Sequence, residues 1–322
     1  MNRSEAKIVF MGTPDFAVPA LEAIHGAGFT VSLVVTRPDR PKGRGRKLSP
    51  PPVKTAAVGL GLETAQPATL RTDRFIERIA DIGPAFIVVV AMGHILTPEL
   101  MSRAQFGAVN LHGSLLPKYR GPAPIQWAIM NREPETGVTT MQMDAGVDTG
   151  DILLQESTPI LPDDTAASLH DRLAGIGARL MVKTLDGLLA GTIVARPQDH
   201  SRASYAPALS KQDGQIDWRR PAAAIEAFIR AMTPWPGAWF ICDKKRYRVF
   251  RARVIPMECR AAPGTILRGF SDELRIATGQ GALSILEIQG ASGKRLAIRD
   301  FLRGCRLEPG LRAESSDSCP LP

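Results

Sequence analysis

Apolar residues in the first third of the chain gather in short, nearly unbroken runs. KIVFM at 7–11, TVSLVVT at 30–36, FIVVVA at 86–91 and AVNL at 108–111 are separated by stretches with helical spacing. Runs without polar alternation suit parallel strands buried on both faces. The pattern therefore predicts an α/β domain built on a doubly wound, mostly parallel sheet. A helix is expected at about 124–131, a strand in TGVTTMQMDAG, another at 152–157 and a long helix over 166–189. Gly191 and the Pro-, Asp- and Ser-rich ARPQDHSRAS then break the pattern, which predicts a linker at 191–208 between domains at 1–190 and 209–322. Beyond it WFIC, YRVFRARVI, TIL, LRIAT and LSILEIQ form short strands between Asp-Lys, Pro-Gly and Gly-Gln-Gly turns. That arrangement predicts a second, smaller OB-like antiparallel β-barrel. The tail AESSDSCPLP has no periodicity and is expected to be disordered.

Composition narrows the class. With 322 residues, 44% of them hydrophobic, the chain has room for two cores. The first apolar run is too short for a signal-peptide core or a membrane span, so a soluble, cytoplasmic protein with no membrane partner is expected. Cys242, Cys259, Cys305 and Cys319 are widely spaced with no CxxC, and there is no HExxH, so the cysteines read as reduced thiols and no metal site is expected. The net charge of +8 is unevenly placed: residues 1–200 are balanced, and the whole excess lies in 201–322. Within the balanced part, Arg37, Arg40, Lys42, Arg44, Arg46, Lys47 and Lys54 face only Asp39. Two separate basic patches suit a large polyanion better than a small acid. The segment RPDRPKGRGRKLSPPPVK, rich in Pro and Gly, is expected to be a mobile non-helical loop.

Asn110 and His112 fall at the carboxyl end of a predicted parallel strand, where open α/β sheets bind ligands. Two residues apart on an extended segment, they project to one side, and an amide beside an imidazole can bind a developing oxyanion. The plain alternative is a strand-ending Asn and a satisfied core His. In MDAGVDTGD, Asp144, Asp148 and Asp151 lie in another loop at that end of the sheet, where a carboxylate can orient His112 or merely build a turn. GTPDF follows the first strand, yet neither GxGxxG nor GxxxxGK[ST] is present, which argues against dinucleotide and ATP binding.

NLHGSLLPKYRGPAPIQWAI, MDAGVDTGD, GTPDFAVPAL, the basic loop, YAPALSKQDGQIDW and TPWPGAWF together resemble the methionyl-tRNA formyltransferase family, of the formyltransferase superfamily, over nearly the whole chain. The resemblance implies a Rossmann-like formyltransferase domain followed by an OB-like tRNA-binding domain. It implies transfer of a formyl group from 10-formyltetrahydrofolate to the α-amino group of methionyl initiator tRNA; a monomer is expected. Asn110, His112 and Asp148 match the catalytic residues, and Ser114, Leu115, Leu116 and Pro117 the folate-contacting run. Met92, Gly93 and Ile95 lie in the segment that resembles the pterin loop, with Met92 and Thr97 departing from the family's usual residues. Arg40, Lys42, Arg44, Arg46 and Lys47 of the loop, with Arg246 and Arg248 of the second domain, are the expected tRNA contacts. On an ideal strand Arg246 and Arg248 share one face and Arg251 and Arg253 the other, so only a bulge aligns all four.

Overall fold

A computed structural model describes residues 1–42, 47–268, 270, 272–291, 293–305 and 307–316. The chain divides into two compact units. The first comprises Met1–Pro124, Thr136–Thr158 and His170–Ala206, the second Ile125–Glu135, Pro159–Leu169 and Pro207–Pro322. Two short segments of the expected first domain thus group with the second unit. As far as Ala206 the segment after residue 189 groups with the first unit, where Arg196 bridges Ile152 and Tyr205 bridges Arg120.

In chain order the elements are β1 (Lys7–Gly12), α1 (Val18–Gly26), β2 (Thr30–Val35), β3 (Arg40–Lys42), β4 (Lys47–Ser49), α2 (Pro52–Gly59) and β5 (Thr64–Ala65). They continue with α3 (Asp73–Ile82), β6 (Phe86–Val90), α4 (Pro98–Met101), β7 (Ala108–His112), α5 (Pro124–Met130), β8 (Glu135–Gln142), β9 (Ile152–Pro159) and α6 (Ala166–Leu189). The first unit carries a seven-stranded sheet ordered β5-β2-β1-β6-β7-β8-β9. β1 runs parallel to β2 and β6, β2 to β5 and β6 to β7, and β8 runs antiparallel to β7. Every residue of β6 is buried, as an unbroken apolar run requires of a central strand. Strand order reverses at β1 and β6, so the ligand crevice of this fold lies at their carboxyl ends, where the Thr13 hydroxyl donates to the Met92 carbonyl at 3.3 Å.

The described parts of the basic segment carry regular elements. Arg40–Lys42 and Lys47–Ser49 pair as an antiparallel ladder, and PVK opens α2. Pro52 fits that opening because its fixed φ is helical and its missing N–H is not needed in a first turn. The base of the segment is pinned by Asp39, which accepts from Gln66 at 2.7 Å and from Lys54 at 2.9 Å. Those two partners hold its carboxyl below the usual range.

The second unit adds α7 (Ala222–Met232), β10 (Ala238–Cys242), β11 (Lys245–Ile255), β12 (Leu274–Ala277), β13 (Ala282–Gln289), β14 (Leu296–Ala297) and α8 (Ile298–Gly304). Its antiparallel sheet is ordered β10-β11-β13-β12, with β14 on β13. Isolated bridges close the ring: Ile266 to Ile276, Thr265 to Arg312 and Glu314 to Ile241. TIL is therefore a closing bridge rather than a strand, and Ala313–Ser316, expected to be disordered, belongs to the barrel. The rest of that tail lies outside the described residues. Trp218, Phe240 and Tyr247 pack ring against ring inside.

Candidate functional site

β7 ends at the edge of the ligand crevice, carrying half-buried Asn110 and buried His112. The Oδ1 of Asn110 is buried without a hydrogen-bond partner, an arrangement that costs free energy unless a ligand donates to it. The His112 ring is fixed from one side, its Nε2 lying 2.9 Å from the carbonyl oxygen of Tyr119. A carbonyl only accepts, so Nε2 carries the proton in the neutral ring and Nδ1 is left for chemistry. Nδ1 faces Asp148 Oδ2 across 3.6 Å, too far for a hydrogen bond. Tyr119, rather than the expected carboxylate, therefore sets the tautomer and tilt of the ring.

Of the three loop aspartates, only Asp148 faces this histidine. Asp144 spends its carboxylate on the loop itself, accepting from the Gly146 N–H at 3.0 Å and the Thr149 hydroxyl at 2.7 Å. Asp148 Oδ2 accepts from the Gly121 N–H at 2.7 Å, and its backbone is left-handed, with φ of 53°. The loop returns to β9 past Gly150, where an added Cβ would sit 1.8 Å from the carbonyl oxygen of Gln142. Gly150→Ala is accordingly expected to destabilise the protein by about 1–3 kcal/mol, read as a lowered midpoint of thermal unfolding.

The residues expected on the ligand side divide by burial. Met92 is buried in the core, so it packs beneath the crevice rather than at its rim. Thr97 caps α4, accepting from the Leu100 N–H at 3.2 Å. Gly93 and Ile95 are exposed beside them, and the Gly93 carbonyl accepts from the Arg37 guanidinium. Burial, then the charges of Arg37 and Arg40, hold His94 below its ordinary range. Ser114 is fully buried and donates to the Lys118 carbonyl at 2.7 Å; Leu116 packs on Met141 and Ile152. Both side chains shape the turn, while Leu115 and Pro117 are only partly buried.

In the basic segment Arg40 is exposed. Arg44, Arg46 and the side chains of Lys42 and Lys47 lie outside the described residues. In the second unit Arg246 and Arg248 project from the outer face of the barrel, Arg246 stacked on Trp239 at 3.9 Å and Arg248 near the Phe250 ring at 5.2 Å. The β11–β13 register shifts on either side of Arg251. Inward positions accordingly run Tyr247, Val249, Ala252 and Val254, and the bulge leaves Arg251 and Arg253 on the same outer face as Arg246 and Arg248. Burial and the neighbouring Arg248 pull the Arg246 guanidinium below its ordinary range. Like charges held together in this way favour an anion.

Sequence reasoning missed four parts of the site: the Tyr119 carbonyl, the Gly121 N–H, Arg120 and Gln198. The first two are backbone groups, which residue identity does not reveal. Arg120 and Gln198 are buried at 3% and 4% exposure, and a buried Arg beside a Gln 78 positions away leaves no local pattern.

A family profile described as formyl transferase matches residues 6–185, and one described as formyl transferase, C-terminal domain, matches residues 208–306. A protein named methionyl-tRNA formyltransferase from Desulfotalea psychrophila is 50% identical over 301 residues, covering 94% of this chain and 93% of its own. One of the same name from Geobacter metallireducens is 48% identical over 305 residues, covering 95% and 97%. Among solved structures, an N-formyltransferase from Helicobacter canadensis in complex with folinic acid and dTDP-3-aminofucose superposes with a TM-score of 0.65 at 20% identity, over 90% of this chain and all of that one. HypX from Aquifex aeolicus in complex with tetrahydrofolic acid gives 0.61 at 17% identity, over 92% of this chain and 46% of that one. At such identities the structures testify to the fold.

Proposed function

The chain belongs to the methionyl-tRNA formyltransferase family, and on that premise we propose that it transfers the formyl group of 10-formyltetrahydrofolate to the α-amino group of methionyl initiator tRNA. The observation that carries the chemical reading is His112 Nδ1 facing Asp148 beside the unpartnered Oδ1 of Asn110. The donor's pterin would enter the crevice between the ends of β1 and β6, along Gly93 and Ile95, while Leu115 and Pro117 line its path toward His112. Thr13, Arg37 and Thr97 keep that rim in place through the bonds described above.

The free amine attacks the formyl carbon and negative charge grows on the formyl oxygen. Donors already aimed at that oxygen are worth about 3–4 kcal/mol each in related acyl transfers. The Asn110 amide supplies one and protonated Nδ1 of His112 the other, with Asp148 balancing the imidazolium. The Asn110 carbonyl accepts from the incoming amine. As the new C–N bond forms, the ammonium gives up a proton to Asp148, and as the bond to N10 breaks that nitrogen takes one from His112. No covalent intermediate with the protein is required. The domain at the N-terminal side is assigned the chemistry and the barrel the tRNA, which the basic segment also engages; the enzyme acts as a monomer.

The test offers the formyl donor with methionyl-tRNA, free methionine and glycinamide ribonucleotide in parallel. Formylation of methionyl-tRNA alone is expected, and equal use of a small amine would refute the assignment. Arg37 gives a second expectation, because its guanidinium binds the Gly93 carbonyl rather than standing free. Arg37→Ala should raise KM for the formyl donor by roughly 5- to 10-fold, as loss of a charge-assisted hydrogen bond at the rim predicts. Its effect on tRNA affinity should stay small, and steady-state kinetics with each substrate varied in turn separates the two.

A further inference from the structure

Residues 196–206 lie along the first unit as a strap, and at its start Gln198 uses every polar valence it has. Its Oε1 accepts from Arg120 Nε at 3.1 Å and Nη2 at 2.7 Å. Its Nε2 donates to the carbonyl of Asp148 at 2.9 Å and to that of Gly150 at 2.7 Å. Chemistry fixes the orientation of this amide: a guanidinium cannot accept and a carbonyl cannot donate, so the reverse arrangement would break all four bonds.

The surroundings give the clamp its purpose. Tyr119, Arg120 and Gly121 hold three different parts of the site. The Tyr119 carbonyl faces His112 Nε2, the Gly121 N–H holds the Asp148 carboxylate, and Arg120 acts through Gln198 on the main chain of Asp148. The strap holds this tripeptide in turn. The Tyr119 N–H donates to the Ser204 hydroxyl at 2.9 Å, the Arg120 N–H to the Ser204 carbonyl at 2.8 Å, and the Ala206 N–H to the Arg120 carbonyl at 2.7 Å. Asp148 is left-handed with φ of 53°, an uncommon region in which Asp is enriched, and its neighbours hold it there. Gln198 does so from the main-chain side.

We propose that Gln198, with Arg120 behind it, is a positioning residue for the transfer reaction: it fixes the main chain of Asp148 and so the approach of the Asp148 carboxylate to His112. The inference rests on the role given to Asp148 above. It assigns to the strap a part in the chemistry.

Gln198→Glu is the informative variant. A carboxylate keeps the partner of Arg120, as an ion pair, but has no proton for the Asp148 and Gly150 carbonyls. The ion pair should keep the fold together, with a thermal midpoint lowered by the two carbonyls left without a donor, while the loop is released. The expected loss is about 10- to 100-fold in kcat with KM for both substrates within about 3-fold, the pattern of a misplaced catalytic group. A double-mutant cycle with Asp148→Asn separates positioning from general structural support. If Gln198 acts through Asp148, adding Gln198→Glu to Asp148→Asn should cost less than about 3-fold more. The same 10- to 100-fold penalty in both backgrounds, or no penalty in the parent, would overturn this inference while leaving the site reading intact. Normal activity in Asp148→Asn alone would bring down both.

Discussion

Replacing His112 by Gln is expected to lower kcat by about 10³-fold and replacing it by Asn by about 10²-fold, with tRNA affinity within about 2-fold of the parent in both. The order of the two variants is the point of the experiment. Asn places its amide nitrogen near the position of Nδ1, and Gln near that of Nε2. Nε2 already faces the Tyr119 carbonyl at 2.9 Å, whereas Nδ1 faces Asp148 across 3.6 Å and is the nitrogen open to a reacting group. An Asn side chain can therefore still offer a donor to the formyl oxygen, although it cannot carry a proton. Gln satisfies only the structural partner. Asn110→Ala should lose about 10²–10³-fold in kcat, as removal of a single oxyanion donor does elsewhere. The effects fall on kcat because these groups gain their strongest interactions as charge develops, not when substrate binds. A Gln variant more active than the Asn variant would move the chemistry to Nε2 and remove the tautomer argument.

The parts of the structure legible in the sequence are those set by burial along a single element. Ala166–Leu189 is helical to both expected ends, and the strand carrying Asn110 and His112 lies where its apolar run puts it, because period and burial act over a few residues. The parts that composition does not reveal depend on distant partners. ARPQDHSRAS resembles a linker by composition, yet Gln198 and Arg196 are held by Arg120, Asp148, Gly150 and Ile152, all of them more than forty positions away. Composition reports only that such a stretch has no core of its own. In the same way, PPPVK reads as loop until Pro52 is seen at the first turn of a helix, and AESS reads as disorder until Glu314 bridges Ile241. Asp144 and Asp148 could not be told apart by type or spacing; their difference lies in which N–H groups the loop turns toward each.

Neutralising Arg246, Arg248, Arg251 and Arg253 together should weaken tRNA binding chiefly at low salt. Arg295 is already paired with Glu287 and Arg275 with Glu273 at 2.7 Å, which leaves these four as the arginines that β11 itself turns outward. Among the described residues no carboxylate lies within ion-pair distance of any of the four. Each is thus available to displace a counterion from a phosphate, and removing four such contacts should lessen the slope of log K against log salt by about 3. Between 50 and 200 mM salt the parent should then lose about 10²-fold more affinity than the variant does. Trp239 sets the complementary expectation. It carries Arg246 on its ring at 3.9 Å and donates through Nε1 to the Lys211 carbonyl at 3.0 Å, so it is fixed before any ligand arrives. If a base stacks there, Trp239→Ala should cost about 10-fold at every salt concentration, since stacking releases no ions. If the ring only supports Arg246, its loss should shrink with salt as the arginine's own does. In either case kcat at saturating tRNA should be unchanged, because the face binds and takes no part in the transfer. A quadruple variant whose salt slope equals the parent's would show that tRNA does not lie on this face.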